Sequence, residues 1–289
     1  MFISNKISFH LAILYLVLPF LIFIGGWTKP YIAIPVILLV LFCTWKACKD
    51  SPEMWLPEWK RDNIVKALFV IGVLAVWVYY SGIGKFVFQN MDHTARNSIF
   101  NILVEYDWPV RNHKILSIFE GTSGETGLIY YIGFWLPSAV IGKIFGLRIG
   151  YYMQAVWALL GLVLIYYLIC CRYKQIKIWP VFILIFFSGL DIVGAYLTNM
   201  DYVNAVNPWH LEWWGNPYQF SSMTTQLFWV FNQALPVWLA TMMIYMQKNN
   251  RNRVFLLACS MLTSTLPFIG LLPITVFLCL LRKENSLGN

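Results

Sequence analysis

Charge is what this sequence has little of. Only 12% of its 289 residues are Asp, Glu, Lys or Arg, about half the share of an ordinary soluble domain. A Gly-rich phosphate loop and a dense Lys/Arg run are also missing. The formal net charge of +8 therefore does not read as nucleic-acid binding. In membrane proteins Lys and Arg gather in cytoplasmic loops and set orientation, which accounts for the sign. The six cysteines (Cys43, Cys48, Cys170, Cys171, Cys259, Cys279) form no CxxC pair and avoid the large polar loops. Neither a zinc site nor a disulfide framework is suggested. No Asn-x-Ser/Thr sequon, internal repeat, heptad pattern or low-complexity tract stands out.

What is present is apolar length. The chain is 59% hydrophobic, and several runs approach the roughly 20 helical residues that cross a hydrocarbon core. They are Phe9–Gly26, Tyr31–Ala47, Ile64–Gly84, Gly150–Cys170, Trp179–Leu197 and Thr224–Met246. The first follows Lys6 and ends in "GGWTKP" without a small-x-small cleavage site, so it reads as an uncleaved span. Val254–Leu281 is too long for one ordinary span, and 128–146 has the length of one but carries Pro137.

The distribution of positive charge decides between arrangements. If 128–146 does not cross and Val254–Leu281 is a hairpin, Lys6, the Lys46–Lys66 loop, "CRYKQIK", "KNNRNR" and "RKEN" share the cytoplasmic side. That places 14 of the 21 Lys and Arg inside. If 128–146 crosses and the last run spans once, only 10 of 21 stay inside. The expectation is thus an all-α, polytopic helical membrane protein with about 7–8 membrane segments. Residues 128–146 form an interfacial or re-entrant segment, and "LPFIGLLP" supplies turn material for the hairpin. The whole of 1–289 reads as one membrane domain with a cytoplasmic N-terminus. Residues 85–149 form a first outer loop with interfacial helices, and 198–222 form a second.

Acidic chemistry collects on that outer side: Asp92, Glu105, Asp107, Glu120, Glu125, Asp191, Asp201 and Glu212, with His93, His113 and His210. In "QNMDHTARNSIFNILVEYDWPV", Asp92 and Arg96 are four apart and share a helix face, before Trp108-Pro109 stops the helix. That face is either a solvated interfacial surface or a catalytic one. In "FFSGLDIVG", Asp191 sits inside an apolar run, where a carboxylate needs a polar cavity or a partner. "NPWHLEWWGNPYQFSS" sets His210 and Glu212 among Trp209, Trp213 and Trp214. Those rings suit an interfacial aromatic belt or stacking on a sugar. Carboxylates brought together could hold a hard divalent cation, or one could serve as general base to a hydroxyl.

These features resemble the polytopic C-type (GT-C-like) glycosyltransferase superfamily. An acid closely follows a span in a long first outer loop, "LIYYIGFWLPSAVIGKIFGLR" closes that loop, and the second outer loop is acidic. The phrases "QNMDHTARN", "FFSGLDIVG", "HLEWW" and "FWVFNQALP" look closest to a bacterial branch, over roughly Lys85 to Pro236. The resemblance implies transfer of a sugar from a polyprenyl-phosphate-linked donor to an acceptor on the outer face of a plasma membrane. It casts Asp92 as catalytic base, with Asp201 or Glu212 as the second-loop acid and Asp191 as a further catalytic carboxylate. Asp92 and Glu212 would be ligands of a Mg or Mn ion, and His93, Arg96, Asp201, His210 and Trp213 would be substrate contacts. This chain departs from the pattern in its two extra leading spans, its lack of a tight acidic pair and its end at Asn289. A shortened enzyme with a larger membrane partner is the matching expectation. Rival readings are a transporter or lipid flippase using Asp191, and a non-catalytic membrane assembly subunit.

Overall fold

The computed structural model describes residues 4–55, 57–58, 60–87, 89–112, 126–198, 212, 214, 218, 220–263 and 265–287. Five helices are long and apolar enough to cross a membrane: α1 (Ile7–Trp27), α2 (Pro30–Lys49), α3 (Arg61–Tyr80), α6 (Leu147–Tyr173) and α9 (Met223–Met246). Their apolar residues run all round rather than in one stripe. On α2, Leu38, Leu39, Phe42 and Trp45 point away from the protein, as lipid-facing helices require. Among the described residues, strand is limited to two two-residue pairs, β1 (Ser4–Asn5) with β2 (Met54–Trp55) and β3 (Arg111–Asn112) with β4 (Thr126–Gly127). The protein is an α-helical membrane protein.

The expected span Trp179–Leu197 is broken. It divides into α7 (Trp179–Phe186) and α8 (Asp191–Leu197), bent by 42°. Ser188, at φ 60°, occupies the left-handed region that a helix cannot use, and Gly189 follows it. Counted as one, this pair raises the crossing helices to six.

One end of the bundle is knitted from the basic stretches. Lys6 Nζ donates to the Lys49 carbonyl, and Asp50 accepts from the side-chain amides of Asn249 and Asn252. The Trp55 carbonyl accepts from the Tyr167 hydroxyl near the end of α6. The chain segments that the charge distribution assigns to one side therefore do meet at one end.

Residues 128–146 return to the end from which they enter. The Leu128 amide donates to the Val110 carbonyl, while Lys143 Nζ lies over the Trp108 ring. Between them the chain reaches a 3-10 turn at Gly133–Trp135 and comes back as α5 (Leu136–Phe145). Ten residues rise only about 15 Å, half a hydrocarbon core. Gly142 of α5 and Gly150 of α6 let the two backbones touch, since a Cβ on Gly150 would lie 3.0 Å from the Gly142 Cα.

The last apolar run folds as a pair of antiparallel helices, the arrangement that the charge count favours over a single tilted helix. α10 (Asn250–Ser260) and α11 (Thr265–Leu287) are held together by Asn250 Nδ2 on the Cys279 carbonyl and Arg253 Nη1 on the Leu278 carbonyl. The turn is not where the sequence placed it. It falls at Met261–Thr263, where the Thr263 hydroxyl and amide both donate to the Ser260 carbonyl. Pro267, Gly270 and Pro273 lie inside α11. Pro267 falls in the first turn, where a missing N–H costs little. The hairpin tip meets the 128–146 segment: a Cβ on Gly133 would lie 2.8 Å from the Thr263 methyl.

Candidate functional site

The site begins with α4 (Met91–Glu105), opposite the basic end and outside the crossing helices. Asn90 caps it, its Oδ1 accepting from the His93 amide at 2.9 Å, the role in which Asn is favoured. The same oxygen meets His93 Nδ1 at 2.7 Å, and Asn90 Nδ2 donates to the Phe228 carbonyl on α9. With the amide fixed that way round, Nδ1 donates the His93 proton to Asn90 Oδ1.

α9 has a reason to offer that carbonyl. Val230 leaves helical geometry at φ −134°, ψ 34°, and Pro236 follows. The kink is sharp enough for Trp238 Nε1 to donate to Gln226 Oε1, twelve residues back. It also pushes Phe231 between α4 and the 128–146 segment. His93 stacks on Phe231 at 5.7 Å, the Arg96 guanidinium carbon lies 6.0 Å from its centroid, and Phe134 and Trp135 meet it edge-on.

The helix face that could have been solvated is buried. His93 is 2% exposed, Arg96 6% and Phe100 0%. Arg96 Nη2 donates to Asp92 Oδ2 at 2.9 Å, and the Asp92 side chain keeps 45% of its surface in solvent. Arg96 Nε and Nη1 have no hydrogen-bond partner among the described residues. Burial and the neighbouring Arg96 push the His93 pKa down to about 4, against the opposing pull of Asp92 and of the Ser81 backbone. His93 is thus neutral at physiological pH and adds no charge beside Arg96.

Sequence reasoning missed the residues that close this site. Tyr130 donates to the Tyr131 hydroxyl at 2.8 Å, and Gln233 Nε2 donates to the same hydroxyl at 2.7 Å. Tyr130 feels the charges of Arg96 and Asp92, although burial is the main cause of its rise to about 12. The adjacent tyrosines of "LIYYIGFW" were the available signal, but only the folded-back path of 128–146 brings them to α4.

A second group forms at the α7–α8 break. Thr224 Oγ1 donates to the Ile185 carbonyl and the Met223 amide to that of Phe187, docking the start of α9 onto the break. Glu212, 4% exposed, accepts from the Ser221 hydroxyl at 2.9 Å and the Ser222 amide at 3.1 Å. A carboxylate at a helix N-terminus is electrostatically favoured there. Asp191 accepts from Trp214 Nε1 at 3.1 Å. Asp191, Glu212 and Trp214 share a cleft of about 870 Å³ with Phe186, Tyr218 and Phe220.

The structure therefore brings Asp92, His93 and Arg96 together, and separately Asp191 with Glu212. Both groups contact the first turns of α9. The Glu212 contact at Ser222 and the Asn90 contact at Phe228 are six residues apart, about 9 Å along a helix. Asp201, His210 and Trp213 lie outside the described residues. Among the described residues, no three His, Cys, Asp or Glu side chains gather to hold a metal ion. Asp92 Oδ2 faces a guanidinium and the two Glu212 oxygens accept from Ser221 and Ser222, a poor donor set for a shared cation. No protein-family model, curated protein or solved structure matches the chain.

Proposed function

We propose that this chain is a membrane glycosyltransferase-like protein. It moves a sugar from a polyprenyl-phosphate-linked donor to an acceptor hydroxyl at the outer face of a bacterial plasma membrane. The N-terminus and the knitted basic end lie in the cytoplasm. α10 and α11 enter the bilayer as a hairpin, giving about eight membrane segments, and 128–146 dips into the outer leaflet.

The observation that carries this reading is Asp92. It is a half-exposed carboxylate steadied by a buried arginine, on a helix that does not cross, at the end opposite the basic loops. Asp92 takes the proton from the acceptor hydroxyl as that oxygen bonds to the sugar's anomeric carbon. The donor phosphate leaves with the electrons of the broken bond. Asp191 and Glu212, in an aromatic cleft one or two turns away, fit a role in holding the sugar. The reading needs no divalent cation, since Arg96 already sets positive charge beside Asp92.

Its test is transfer of radiolabelled sugar from polyprenyl-phosphate donors by the purified protein in nanodiscs. General-base catalysis is worth about 10²- to 10⁴-fold, so Asp92→Asn should lose at least 100-fold with unchanged expression and fold. Equal turnover in Asp92→Asn would remove Asp92 from this role.

A transporter is the second reading. Two half-length tips, at Gly133 and Thr263, meet within the bundle, and both α7–α8 and α9 are broken. Transport proteins build binding sites from interrupted helices. Solute uptake into liposomes that is lost in Asp191→Asn would put this reading first.

A further inference from the structure

Arg96 is an incomplete structure. A guanidinium has five N–H donors and cannot shed its charge. Nη2 serves Asp92, which leaves the single N–H of Nε and the two of Nη1 without a hydrogen-bond acceptor among the described residues. The Phe231 ring lies against the group, but a ring face accepts no such set of bonds. Leaving charged donors unmet in a protein interior is strongly unfavourable, and the usual remedy for guanidinium is an oxyanion, which it matches in shape and charge.

We infer that Arg96 binds an oxyanion of the sugar acceptor, so that the acceptor is a hydroxyl compound carrying a phosphate or carboxylate close to the hydroxyl that reacts. This rests on the role proposed for Asp92. The acceptor hydroxyl lies at Asp92, and the Arg96 guanidinium, one helical turn on, touches that carboxylate at 2.9 Å. The leaving phosphate of the donor departs from the far side of the anomeric carbon, away from the base. An anion on Arg96 therefore lies on the acceptor's side of the reaction. Asp92 forms the rim of the site and Arg96 its floor. Neither Nε nor Nη1 is solvent-accessible, so the acceptor must displace Asp92 from Nη2 or swing it outward as it enters. That movement frees the carboxylate to take the proton. A glycerol phosphate headgroup has the required pairing, with a free hydroxyl near a phosphate, whether in a lipid or as a soluble ester.

The full chain in phosphatidylcholine nanodiscs tests this by direct binding. Glycerol 3-phosphate is titrated as the soluble probe, and phosphatidylglycerol is mixed into the disc as the lipid probe, with glycerol as the neutral control. Saturable binding of either phosphate probe and none of glycerol is expected, and which probe binds identifies the source. Arg96→Met should weaken it at least tenfold, and Arg96→Lys, which keeps the charge, should retain part. Should Arg96→Met not fold, the Arg96→Lys loss and competition by inorganic phosphate carry the test. Absence of binding to both probes, or equal affinity in folded Arg96 variants, overturns the inference. The sugar-transfer assay fails independently. A chain that binds phosphate through Arg96 but transfers nothing keeps the oxyanion site and loses the enzyme. A chain whose transfer needs Asp92 but ignores Arg96 does the reverse.

Discussion

Two arginines, Arg96 and Arg253, are each 6% exposed at opposite ends of the same bundle. Arg253 puts both Nε and Nη1 to use. Its Nε donates to the carbonyls of Ile244 and Gln247, and its Nη1 to Asn250 Oδ1 and the Leu278 carbonyl. Three helices, α9, α10 and α11, are pinned by that one side chain. Arg96 makes one ion pair and leaves two nitrogens idle. Equal burial with unequal satisfaction separates a group that holds the fold from a group kept ready for something else.

The contrast can be broken most forcefully at Arg253. Arg253→Met strips the partner from the carbonyls of Ile244, Gln247 and Leu278 and from the Asn250 side chain, and should cost roughly 3 kcal/mol or more. The measurement is the unfolding midpoint in detergent. A loss under 1 kcal/mol would erase the distinction between the two ends.

A smaller effect is expected at His93. Its pKa falls from 6.5 to about 4 on folding. A depressed folded pKa for a base means the unfolded chain binds the proton more readily. The stabilising effect of neutral His93 is therefore present above about 6.5 and is lost as the pH falls toward 4. Thermal midpoints of the wild type should drop across that window, and those of His93→Gln should drop less. Parallel curves would show that His93 is solvated.

The smallest change should come from Arg96→Met, within about 1 kcal/mol of wild type, because the substitution removes unmet donors along with one ion pair. Asp92, half in solvent, tolerates the loss. A large destabilisation would make Arg96 a second Arg253.

How much of this was legible is best judged residue by residue. The Asp92–Arg96 pair follows from a spacing of four, and it forms. The positions of α1, α2, α3 and α6 follow from apolar length. Charge counting favours a placement in which 128–146 does not cross, and its helix, Gly133–Phe145, is shorter than a span. The α7–α8 break was less readable, because one residue, Ser188, takes a backbone conformation that composition does not signal. The hairpin turn was misplaced by weighting Pro and Gly over hydroxyls that satisfy a broken helix end. The burial of Arg96 was not legible at all. It depends on Phe231, carried in from 135 residues downstream by the kink at Val230.

Asn90 has a consequence of its own. One amide caps α4 with its oxygen and patches the broken run of α9 with its nitrogen. It works as a mechanical linkage between two rods, with Asp92 two residues from the pivot. Straightening or deepening the α9 bend cannot occur without tugging on the first turn of α4. The angle of a membrane-crossing helix and the aim of the carboxylate are thereby geared to each other, and whatever flexes the one re-points the other.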